Sequence, residues 1–158
     1  MQQLKAQPRS LSTAAQRTLP GLMALYEENY MRLRMLLPRP HAIADHAVSR
    51  VPGCIDLHVY VLERSRYTTT LRLTYQFAGE DGGRREPNLV VRVHHDARTA
   101  EAMNVCLERG RYRFDARRTL QRSWERNRFL HKWLGYCLRR GHCFPAPAAA
   151  SSVALDCA

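Results

Sequence analysis

The sequence predicts an α+β fold: a single antiparallel sheet of four to five strands, with an N-terminal and a C-terminal helix packed on one face. Three observations carry this. Tyr67, Thr69, Leu71, Leu73, Tyr75 and Phe77 alternate with Thr68, Thr70, Arg72, Thr74 and Gln76, the two-residue period of a strand with one buried face. Ile55, Leu57, Val59 and Val61 alternate in the same way across a short polar link, Glu63-Arg64-Ser65-Arg66, which argues for an antiparallel hairpin. Two stretches with apolar residues every three or four positions, 21–37 and 120–140, flank the strands and supply the cover that a one-faced sheet needs.

The elements follow in order. Residues 1–20 are polar and read as a flexible lead-in, closed by a break at Pro20-Gly21. In the first helix Leu22, Leu25, Tyr26, Asn29, Leu33, Leu36 and Leu37 share a face, and Pro38 and Pro40 end it. Residues 38–53, with three prolines and a glycine, read as a connection. After the hairpin, a Gly- and Arg-rich loop from Gly79 to Pro87 leads to a third strand, with Leu89, Val91, Val93 and His95 on one face and Val90, Arg92 and His94 on the other. Residues 99–107 read as a fourth strand or a short helix, with the strand favoured because Gly110 and Tyr112-Arg113-Phe114 look like the second arm of a hairpin. Trp124, Asn127, Leu130, Trp133, Leu134, Cys137 and Leu138 form the stripe of the second helix, which Arg139-Arg140-Gly141 closes with cations and a glycine cap. A single domain over 21–144 is then followed by a low-complexity, disordered tail, 145–158.

Length and charge bound the function. A chain of 158 residues suits one domain with a core. No apolar run approaches the ~20 residues that cross a bilayer, and no secretory signal is visible, so the expected location is the cytoplasm and no membrane partner is expected. Lys plus Arg number 25 against 14 Asp plus Glu, a net +11, and Lys5 and Lys132 are the only lysines. Arginine's planar fork of donors matches phosphate and carboxylate, so RNA or another polyanion is the expected class of partner. The competing explanation is a GC-rich genome that writes arginine for lysine. The five cysteines are odd in number and irregularly spaced, as expected of reduced thiols.

Strand parity places His58, Arg72, Arg92 and His94 on the outer face of the sheet together with Thr68, Thr70 and Thr74, a surface of donors suited to a phosphate, a nucleotide or RNA. An ordinary solvated sheet face has the same composition. The second basic feature runs from Glu108 to Arg128, where Arg113, Arg117 and Arg118 lie among Tyr112, Phe114 and Trp124, a mixture found on single-strand-binding surfaces. A catalytic reading takes His95, Asp96 and Glu101 with Arg92 as an anion clamp, on the condition that they converge in one pocket. Cys137, His142, Cys143 and His131 match no standard zinc spacing, so neither a metal nor another cofactor is expected. There is no phosphate loop and no nucleophile elbow.

Several strings taken together resemble the short bacterial YqiB-like proteins, a family of unknown function. They are Asn29, Leu33 and Leu36-Leu37-Pro38; Glu63 with Tyr67-Thr68-Thr69; Val91 to Ala97 with Ala100-Glu101; and Asn127, Phe129-Leu130, Trp133-Leu134, Tyr136-Cys137-Leu138 and Gly141. The resemblance runs from about residue 22 to 141. His94 departs from it where the family favours tyrosine, which argues against a catalytic role there. The resemblance implies a single-domain cytoplasmic protein and no mechanism. Three functions remain open: a non-catalytic module for RNA or a phosphorylated ligand, a small hydrolase-like enzyme, and a protein–protein adaptor.

Overall fold

The computed structural model of the chain describes residues 17–77, 79, 83, 85–103, 105–108, 111–114 and 119–146. Helix α1 (Leu19–Leu36) is followed by β1 (His46–Ser49), β2 (Leu57–Arg64), β3 (Thr68–Gln76), β4 (Arg85–His94) and β5 (Thr99–Ala102). A ribbon of β6 (Val105–Glu108) and β7 (Arg111–Phe114) then leads to α2 (Leu120–Arg139). Strands β1 to β5 form one sheet in sequence order, with every neighbour antiparallel. The expected α+β architecture, with both helices on one face, is the observed one.

The packing follows the parity of the strands. Leu57 and Val59, Leu71 and Leu73, Val91 and Val93, and Ala100 and Ala102 are buried on the inner face against Leu33, Leu36, Leu130, Leu134 and Cys137 of the helices. Burying one such side chain contributes about 1.5–3 kcal/mol. Polar stitches fix the layers to one another. Asn127 of α2 accepts from the Ala102 amide (2.8 Å) through Oδ1 and donates to the Ser123 carbonyl (2.9 Å) through Nδ2, tying the edge strand β5 to the helix. Asn29 of α1 donates to the Asn127 carbonyl at 3.2 Å. The Phe144 amide returns to the Leu36 carbonyl at 2.8 Å, joining the segment after α2 to the end of α1.

Arg32 crosses between the helices to donate to the His131 carbonyl at 2.7 Å. Gly135 makes room for it, because a Cβ at that position would stand 2.5 Å from the Arg32 guanidinium.

Several boundaries depart from the sequence reading. Pro20 lies inside α1 rather than before it, since the first turn of a helix has amides with no intrahelical partner to lose. Thr18 caps that end, its hydroxyl accepting from the Gly21 amide at 3.2 Å. The connection after α1 contains β1, whose four residues are too few to show an alternation. Strand β2 continues through the expected polar turn to Arg64, with a bulge between Val61 and Glu63. Arg64 then anchors the connection by donating to the carbonyls of His41 and Ile43. The expected fourth strand is two strands, β5 in the main sheet and β6 in the separate ribbon. At the end of α2, Gly141 takes the expected left-handed conformation, φ 87°. The expected lead-in overlaps α1 at Leu19 and Pro20; residues 1–16 and 147–158 lie outside the described residues.

Candidate functional site

The outer face of the sheet brings His58 and Arg72 together with His46, Tyr60 and Arg85. In register across it stand His46, Tyr60, Arg72 and Val90, then Val48, His58, Thr74 and Asn88. His46 lies flat on the Tyr60 ring, with centroids 4.3 Å apart and planes 4° from parallel. The Arg72 guanidinium lies 4.2 Å from the same ring centroid, and that of Arg85 lies 5.9 Å away. His58 Nδ1 and His46 Nε2 are 3.0 Å apart, so one imidazole donates to the other. Cations held against an aromatic face keep their charge while losing conformational freedom.

Electrostatics leave this cluster short of negative charge. Burial, followed by the nearby His46, pulls the His58 pKa below its ordinary 6.5, and Arg50 and Arg85 act in the same direction. Asp56 opposes them, but it is already paired with Arg50 at 3.2 Å.

The rest of the outer face is less open than an ordinary solvated face would be. Thr70, Thr74 and Val90 are buried, Thr70 Oγ1 without a hydrogen-bond partner among the described residues, whereas His58, Arg72, Arg92 and His94 are half-buried. Arg92 stands opposite Thr70 on one side and Glu101 on the other. His94 stands opposite Thr68 and Thr99, two strand positions along from Arg92. Arg113 is exposed on the separate ribbon, and Arg117 and Arg118 lie outside the described residues.

The catalytic trio is not brought together. His95 follows β4 on the inner side, where its Nε2 is 2.8 Å from Thr69 Oγ1 and its ring meets His41 edge-on at 5.7 Å. Burial and then His41 lower its pKa. Asp96 is exposed in the turn, and Glu101 faces outward in register with Arg92, so the sheet separates it from His95. Cys137 is buried against the Tyr75 hydroxyl at 3.3 Å, and burial raises its pKa to about 11, which keeps the thiol protonated and unreactive. Among the described residues no group of three or more His, Cys, Asp or Glu is placed to hold a metal ion. Nor is any described helix long and apolar enough to cross a membrane.

Three contributors to the outer cluster escaped the sequence reading. His46 lay in what read as a connection, Arg85 in what read as a loop, and Tyr60 carried the right parity without a reason to be singled out.

Comparison with known proteins bears on this arrangement. The family model described as protein of unknown function (DUF1249) matches residues 32–143. The chain belongs to this family. Relatives named "Uncharacterized protein YqiB", from three Escherichia coli strains, are each 35% identical over 130 residues, covering 77% of this chain and 89% of the relative. No solved structure matches the chain. The matched span runs from Arg32 in α1 to Cys143, so it takes in the Asn127 bond to β5 and the outer cluster, while Asn29 and Phe144 lie just outside it.

Proposed function

We propose that this family member is a non-catalytic binding module whose outer sheet face engages a phosphate-bearing partner, with single-stranded RNA the first choice. The observation that supports this best is the stack of His46, Tyr60 and Arg72, with Arg85 and His58 beside it. Two guanidiniums and two imidazoles surround one ring and provide donors for phosphate oxygens. The exposed His46 at the edge of the stack gives a base a surface to lie on. The net charge of +11 adds long-range attraction for a polyanion. A phosphorylated small molecule would use the same donors and is the narrower form of this reading.

The test is a salt titration of a fluorescently labelled single-stranded RNA by polarisation. Binding is expected at about 50 mM salt, weakening with a log–log slope of roughly −0.7 for each phosphate engaged. No binding at low salt removes the RNA reading.

A second reading has one observation of its own. Leu19, Met23, Met31 and Met35 are exposed at multiples of four along α1, an apolar stripe interrupted by Glu27. Such a stripe fits an adaptor that docks another protein. Met31→Glu with Met35→Glu is expected to abolish any such association without lowering the melting temperature, as read by crosslinking and thermal melts.

A further inference from the structure

A concavity lies where β3 ends, β4 begins and α2 finishes. Its space of about 390 Å³ is lined by Tyr75, Phe77, Pro87, Trp133, Tyr136 and Arg140. That volume falls within the range of small-molecule sites, roughly 300–1,000 Å³.

Tyr75 and Trp133 are buried, and Phe77 and Tyr136 are exposed beside them. The buried rings are held in place. Trp133 meets Tyr75 edge-on at 5.5 Å and 84°, Tyr136 meets it at 6.4 Å and 83°, and the Tyr75 hydroxyl is fixed by Cys137. Aromatic groups at right angles leave faces and edges on which a further flat ring can pack.

The rim adds charge. Arg140 donates through Nε to the Tyr136 hydroxyl at 3.3 Å and lies over that ring at 5.3 Å. No other contact of its guanidinium is recorded among the described residues, which leaves the terminal nitrogens available to a carboxylate. Glu86 also lines the space and has an interaction of its own. One guanidinium can neutralise one negative charge, and a carboxylate nearby opposes a second, so a monoanion suits the site better than a phosphate.

We propose that this pocket binds a small planar aromatic monocarboxylate, its ring seated on Tyr75 and Trp133 and its carboxylate at Arg140. The proposal stands apart from the outer face, with which the pocket shares no residue named in either argument.

Indole-3-acetate and uncharged indole serve as probes, titrated into the full chain carrying Trp124→Phe so that Trp133 supplies the one indole signal. Saturable shifts of the Trp133 indole N–H resonance are expected with indole-3-acetate. Indole is expected to bind about fivefold more weakly, the worth of one exposed ion pair of good geometry. Arg140→Gln is expected to bring indole-3-acetate down to the level of indole and to leave indole itself unchanged. The proposal is overturned if the Trp133 resonance does not move, if both probes bind equally to the parent protein, or if the difference between them survives Arg140→Gln.

Discussion

The two faces of the one sheet carry polar groups for opposite reasons. On the inner face several polar side chains join one layer to the next: Asn127 holds β5, Asn29 holds the α2 backbone, and Ser49 on β1 stands 3.0 Å from His142 Nδ1 while accepting from the Cys143 amide at 3.2 Å. On the outer face His46 and Arg72 lie against the Tyr60 ring, contacts that run from strand to strand rather than to a helix. The difference teaches that polarity on the inner face ties the helices to the sheet, whereas the polar groups of the outer stack contact one another. The strings that mark the family resemblance fall on both sides: Asn29 and Asn127 are inner stitches, and Arg92 and Glu101 face outward.

The largest expected effect is at Asn127. Asn127→Ala leaves the buried Ala102 amide without its acceptor and is expected to cost about 3 kcal/mol in a denaturant titration. A loss below about 1 kcal/mol would show that β5 does not depend on this stitch.

Acid is expected to move the two faces in opposite directions. His95, His131 and His142 all have pKa values below 6.5, with burial the leading cause. Below pH 6.5 the unfolded chain takes up protons that these groups refuse in the fold. Their contribution is therefore full above 6.5 and is lost as pH falls towards the lower folded values. Melting temperature is expected to drop steadily from pH 7 to 5. A phosphate beside His58 favours its protonated form, so RNA affinity is expected to rise over the same interval. Parallel movement of the two quantities would break the distinction between the faces.

Gly135→Ala is a smaller perturbation, since the clashing Arg32 guanidinium can swing away at the loss of its bond to the His131 carbonyl. The expected cost is about 1 kcal/mol by thermal melts. Smallest is Arg85→Ala, whose exposed side chain lies near the Tyr60 ring; its effect on stability is expected to stay within about 0.5 kcal/mol.

The long alternations made β2, β3 and β4 legible in the sequence, and the broad stripe around Trp133 did the same for α2. β1 was hidden because four residues of mixed character show no period, and its role comes only from pairing with β2. The bulge at Val61 and Glu63 was hidden for a related reason: an inserted residue shifts parity without leaving a compositional mark. Parity did place His58, Arg72, Arg92 and His94 on one face. It could not show that Arg72 lies over Tyr60, because that contact depends on the register between strands. The separation of His95 from Glu101 was implicit in the sequence, since opposite parity on paired strands puts them on opposite sides of the sheet.

The most direct test compares two double variants with equal loss of charge, Arg72→Gln with Arg85→Gln on the outer face and Arg122→Gln with Arg139→Gln on α2, using labelled single-stranded RNA at about 50 mM salt. The outer-face pair is expected to lose about tenfold in affinity, roughly 1.4 kcal/mol, while the helix pair loses less than about twofold and both keep the parent melting temperature. Equal losses from the two pairs would show that net charge alone draws the RNA and that the stack on Tyr60 has no part in binding it.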